Sequence, residues 1–145
     1  MAQEYTLAEL MICAASEAWR NDGEVLATGI GTLPRLAASL SMLSTNPDLM
    51  MTDSEAFLLS APNPIGPRAA DFWGGKRHAM VGPTQIDRFG QANISCIGDY
   101  ARPKAMMLGV RGFPGNSISH ANSFFVPGHN TRVFKDGECD VVASI

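Results

Sequence analysis

Long apolar runs are absent from this chain. No stretch of its 145 residues approaches the length of a membrane span, and its first residues carry Glu4 and Glu9 instead of the basic-then-apolar signature of a signal segment. A cytoplasmic protein without a membrane partner is expected. Basic clusters are missing too: the 11 Lys and Arg are scattered among 14 Asp and Glu, for a formal net charge of −3, which leaves no electrostatic footprint for nucleic acid. Cysteine is sparse. Cys13, Cys96 and Cys139 are odd in number and lack CxxC spacing, which argues against a disulfide framework or a zinc site; buried or inert thiols and no metal are expected. Several catalytic signatures are also absent. Without a P-loop, a G-x-S-x-G elbow or an H-E-x-x-H pair, phosphoryl transfer, the usual serine hydrolysis and zinc hydrolysis all lose ground. His78, His120 and His129 are spread without ligand spacing, and such histidines are more often structural than catalytic. His120 is the one to watch.

What is present reads as one α/β domain over 1–145, long enough to bury roughly two-thirds of its unfolded surface. Thr6 and Glu9 form an S/T-x-x-E capping box, followed at three-four spacing by Leu7, Leu10, Met11, Ala14, Ala15, Ala18 and Trp19. Asn21-Asp22-Gly23 ends that helix. A strand at 24–28 runs through Gly29-Ile30-Gly31 into a helix over 33–43 whose apolar positions are Leu36, Leu40 and Leu43. The next strand, 49–52, completes a β-α-β unit and predicts a parallel pair. A proline-dense loop covers 61–67, and a strand follows at 78–81. The residues 84–87 and 91–95 flank Arg88-Phe89-Gly90 as a hairpin. A buried strand is expected at 105–110, and Asn116 is placed to cap a short helix running through Phe124. Two further strands are expected at 131–134 and 139–145, the last unended, so the chain looks as if it stops within the fold.

The chain is organised around Leu49 to Ala56, where an apolar run gives way to Asp53 and Glu55. Open α/β sheets bind their ligands beyond the carboxyl ends of their strands, which gives both carboxylates a functional reading beside the plainer one of helix cap or loop charge. Gly29-Ile30-Gly31 begins like a dinucleotide fingerprint, but Pro34 stands where the third glycine is needed. What remains is a helix start with free N–H groups, a modest anion or oxyanion site. Arg111 lies in a second glycine-rich turn, 111–116, and offers a planar fork for a carboxylate or phosphate, though a solvated loop arginine is the plainer reading.

Three segments, Gly29-Ile30-Gly31-Thr32-Leu33-Pro34, Thr52-Asp53-Ser54-Glu55-Ala56 and the Q-x-D-x-x-G-x-x-N element from Gln85 to Asn93, resemble the β subunit of family I CoA-transferases over nearly the whole chain. The segment Gly109 to His120, with Arg132-Val133-Phe134, is similar to the branch that cleaves steroid rings as CoA-thioester hydrolases in cholesterol and bile-acid catabolism. The resemblance implies a CoA-transferase-like α/β fold, an open, mostly parallel sheet with flanking helices, here without its C-terminal part. It implies an α-subunit partner, as α2β2, and coenzyme A as part of the substrate, with no permanently bound cofactor. In a transferase, Glu55 is the covalent nucleophile. In the hydrolase branch the carboxylate comes from the α subunit and Glu55 is a supporting residue; Ala56-Phe57 and the Arg111 turn both follow that branch. Gly29, Gly31, Gly109, Arg111, Gly112 and Asn116 would bind substrate or hold its oxyanion, supported by Asp53, Gln85 and His120. A non-catalytic α/β partner subunit is the remaining reading.

Overall fold

Thr6 and Glu9 close the capping box that their spacing predicts. The Thr6 hydroxyl accepts from the Glu9 N–H at 3.2 Å, and the Glu9 carboxylate accepts from the Thr6 N–H at 2.7 Å, so two of the free amides that begin helix α1 (Leu7–Ser16) are satisfied. The computed structural model describes residues 4–23, 25–29, 31–53, 56–58, 77–107, 109 and 112–143, and the chain divides into two units, Met1–Val81 and Gly82–Ile145. In the first unit α1 tightens into a 3₁₀ turn (Glu17–Trp19) and stops where Asn21 and Gly23 take positive φ. Strand β1 (Leu26–Gly29), helix α2 (Thr32–Ser44) and strand β2 (Met50–Asp53) form the expected β-α-β unit, with β1 and β2 parallel. Strand β3 (Ala56–Leu58), which the sequence did not suggest, runs antiparallel to β2, and β4 (Arg77–Val81) lies parallel on the other side of β1. The order β3-β2-β1-β4 places β1 between two parallel neighbours.

The core of this unit is Val25, Ala27, Leu49, Met50, Met51, Ala79 and Met80, with Trp19 fully enclosed. Buried Asn46 ties it together: its amide donates to the carbonyls of Trp19 and Gly23, each at 3.0 Å, fixing the end of α1 against the chain that leaves α2. One expectation fails here. Helix α2 buries Pro34, Ala37, Ala38 and Ser41, whereas Leu36 is 47% exposed and Leu43 87% exposed. Small side chains let α2 approach β1, β2 and α1 closely, so the alanine face lies inward and the leucines turn out. Leu7 and Leu10 of α1 are exposed as well.

The second unit carries β5 (Gln85–Asp87) and β6 (Ala92–Asn93) as the expected hairpin, with Gly90 at φ 82 in its turn. The strand expected at 105–110 is described only as β8 (Ala105–Met106), paired antiparallel with β7 (Cys96–Ile97); Ala105 and Met106 are both exposed, not buried as expected. Leu108, Val110 and Arg111 lie outside the described residues. Helix α3 runs only from Phe113 to Ser119, and the chain is again extended as β9 (Ala121–Phe124). Of the expected final strands, β10 (Phe134–Lys135) survives, parallel to β5. Residues 139–143 form no strand: side chains take the first two amides, Cys139 N–H donating to Asp87 Oδ2 at 3.2 Å and Asp140 N–H to Gln85 Oε1 at 3.1 Å, and a single backbone bond, from Ala143 N–H to the Ala92 carbonyl at 2.9 Å, follows.

Candidate functional site

In the first unit the predicted residues converge on one edge. The register Thr28↔Thr52 sets Gly29 and Asp53, the last residues of β1 and β2, at the same carboxyl end of the sheet. From Gly29 the chain runs to Gly31, the N-cap of α2, with φ 105 and ψ 164, a backbone that only glycine adopts without strain. Among the described residues no side chain caps α2, so its first amides are not taken up by a capping group. Because α2 leads to β2 on one side of β1 while β4 lies on the other, this end of β1 is a switch point, where open sheets form a ligand crevice. Glu55 follows Asp53 by two residues and lies outside the described residues, as does the proline-dense loop 61–67.

Deeper in this unit His78, on β4, sits edge-on to Trp19 with ring centroids 5.7 Å apart, and its Nδ1 is 3.8 Å from Asp22 Oδ2. Burial holds its pKa below the ordinary value, and the Asp22 carboxylate offsets only part of that shift.

In the second unit the predicted residues separate into two groups. Asn116 does not cap α3, as its position suggested; the N-cap is Gly112, and Asn116 lies inside the helix. Helix entry at Phe113-Pro114 decides this, because proline is favoured in the first turn. The Asn116 carbonyl accepts from the His120 N–H and from the Asn122 side-chain amide, each at 3.0 Å. His120 is the residue that ends α3, in extended conformation, and its own carbonyl accepts from Asn122 Nδ2 at 2.7 Å. Gly109 packs so close to Ile94 that an added Cβ would lie 2.4 Å from its side chain.

Gln85 belongs elsewhere, to a buried polar network that the spacing of the Q-x-D-x-x-G-x-x-N element encodes. Its Oε1 accepts from Asn93 Nδ2 at 2.7 Å, and its Nε2 donates to Asp140 Oδ2 at 3.1 Å. Asp87 accepts the amides of Phe89, Gln91 and Cys139. Burial pushes its pKa up, but those N–H groups outweigh it and hold the carboxyl below its ordinary value. Asp140 is held low by the Gly98 N–H first, then by Gln85 and Lys135. Asp140 falls outside the sequence reading, because two of its partners, Gly98 and Gln85, lie 42 and 55 residues away in sequence. The thiols of Cys96 and Cys139 are buried, whereas Cys13 is exposed; burial, with Asp87 beside it, raises Cys139 to about 11. Among the described residues no cluster of His, Cys, Asp or Glu could hold a metal, and no helix is long and apolar enough to cross a membrane.

No protein-family model matches the chain. It is 37% identical, over 98% of its length, to the IpdB subunit of a cholesterol ring-cleaving hydrolase from Rhodococcus jostii, and spans 60% of that relative. One subunit of a 3-oxoadipate CoA-transferase from Pseudomonas knackmussii is 29% identical over 91% of this chain and 58% of its own length. Among solved structures, the crystal structure of IpdAB from Rhodococcus jostii superposes with a TM-score of 0.83 at 36% identity, covering 99% of this chain and 62% of the other. Glutaconate CoA-transferase from Acidaminococcus fermentans superposes with a TM-score of 0.76 at 25% identity, covering 98% and 63%.

Proposed function

We propose, from its similarity to ring-cleaving hydrolase subunits and to CoA-transferase subunits, that this chain belongs to the CoA-transferase superfamily and is a β subunit, or most of one, of a cytoplasmic heteromeric enzyme acting on an acyl-CoA thioester. The reaction is hydrolytic C–C cleavage of a ring in a steroid-derived CoA thioester. The observation that carries this reading is similarity to an IpdB subunit along both units of the chain, which also supports treating 1–145 as parts of one β-subunit domain. In this scheme a carboxylate of the α subunit activates water for attack on a ring ketone, in a retro-Claisen sense. This chain contributes binding and polarisation. Gly29 and Gly31, with the first turn of α2, serve a developing oxyanion or the CoA moiety, with Gly109, Gly112 and Asn116 framing the second loop and Arg111 pairing with an acidic group. Asp53 and His120 support those loops, and Gln85 acts through the Asp140 network. Coenzyme A enters as part of the substrate.

A true CoA-transferase is the second reading, favoured by β2 ending at Asp53, at the carboxyl edge of the sheet and two residues before Glu55 in the sequence. The carboxylate would then form a glutamyl-CoA thioester. The two are separated by co-expressing the chain with its α subunit and supplying acyl-CoA without an acceptor. Hydrolysis gives a ring-opened acid and no adduct, and Glu55→Gln lowers the rate only modestly. A borohydride- or hydroxylamine-trapped adduct on Glu55, located by peptide mass spectrometry, overturns the hydrolase reading.

A further inference from the structure

The second unit contains a cavity of about 500 Å³ away from the turns at Gly109 and Gly112, within the size range of small-molecule sites. Ile97 and Val133 give it an apolar wall. The lining carboxylate is committed: Asp140 accepts from the Gly98 N–H at 2.9 Å and from Gln85 Nε2 and Lys135 Nζ, each at 3.1 Å, so its charge is matched by its neighbours. Arg132 is different. It lines the same cavity, is exposed, and pairs with no carboxylate among the described residues. Its backbone is nevertheless fixed. Asn130 Oδ1 accepts the amides of Arg132 and Val133 at 3.0 and 3.2 Å, the Asn130 carbonyl accepts from Phe134 at 2.8 Å, and the Ile86 N–H donates to the Val133 carbonyl at 2.7 Å. A guanidinium carried on a rigid turn beside an apolar wall loses little freedom on pairing.

We propose that this cavity binds a small carboxylate with a short apolar tail, the carboxylate on Arg132 and the tail against Ile97 and Val133. A bare inorganic anion would leave the wall wet, and a neutral alcohol would leave Arg132 unpaired. Hexanoate, inorganic phosphate and hexanol therefore serve as probes on the full chain, kept monodisperse by Leu36→Glu and Leu43→Glu at exposed positions of the first unit, and are read by calorimetry and by chemical-shift changes at the Ile97 methyls and the Arg132 amide. Hexanoate is expected to bind at least about tenfold more tightly than phosphate or hexanol, and Arg132→Gln to weaken it by about tenfold or more, as for loss of a charged hydrogen-bonded partner. Arg132→Lys should restore part of the affinity, and neither substitution should move the melting temperature. Hexanoate binding that survives Arg132→Gln, or phosphate binding as tight as hexanoate, overturns the proposal.

Discussion

Gly31, Gly109 and Gly112 look alike in the sequence, yet a side chain at each would meet something different. At Gly31 the obstacle is the backbone, since φ 105 with ψ 164 belongs to a region open essentially to glycine; Gly31→Ala should cost about 1–3 kcal/mol in urea unfolding. At Gly109 the obstacle is a neighbour. An alanine Cβ at 2.4 Å from Ile94 forces that side chain aside, for about 1–3 kcal/mol, and the penalty should shrink in an Ile94→Ala background, a coupling that a double-mutant cycle reads directly. At Gly112 there is neither, with φ −111 and nothing within 4 Å of an added Cβ. Gly112→Ser should stay within about 0.5 kcal/mol, so any loss of acyl-CoA binding there reports on the site and not on folding. Valine at Gly31, by contrast, cannot separate the two.

His78 gives a residue-scale pH dependence. Its folded pKa lies below the ordinary 6.5 because burial disfavours the charged ring. The unfolded chain therefore takes the proton first as pH falls. Stability is full above about 6.5 and declines as pH falls through that value towards the folded pKa. Urea midpoints at pH 7.5 and 5.5 should differ in the native chain and differ less in His78→Gln. An equal difference in both would remove His78 as the cause.

At the scale of elements, local signals were readable and long-range ones were not. The capping box, the β-α-β unit and the Gly90 hairpin each rest on residues within about one turn or one crossover of each other, and all three are present. The runs at 105–110 and 139–145 looked like strands because they are apolar, but a strand needs a partner, and periodicity does not name one. In the second run the first two amides go to side chains, Asp87 and Gln85, and only the Ala143 N–H meets a backbone carbonyl, that of Ala92. The carboxyl-edge grouping of Gly29, Gly31 and Asp53 was legible from strand-turn-helix order, whereas Asp140 became visible only through contacts across 42 to 55 residues. Helix α2 shows the same limit: its spacing gave a helix but not its inner face. Leu43→Ser should therefore cost less than about 0.5 kcal/mol, while Ala38→Leu, at a buried position, should cost about 1–3 kcal/mol. Denaturant melts of the two variants check the assignment, and a reversed order would put the leucines back inside.

For the whole molecule, the outward leucines bear on assembly. Leu36 and Leu43 on α2, with Leu7, Leu10 and Tyr5 at α1, expose large apolar side chains that a soluble monomer seldom leaves open together. This agrees with the proposed heteromer, in which an α subunit buries surface of this kind. The isolated chain should then self-associate at micromolar concentration by light scattering, and co-expression with the α subunit should replace the aggregates with one species of defined stoichiometry. Leu36→Glu with Leu43→Glu should suppress self-association without lowering the melting temperature, because both positions are exposed and carry little of the fold. A monodisperse monomer, stable alone and indifferent to the α subunit, would mean that these leucines face water in the working protein, and the subunit reading would lose its physical support.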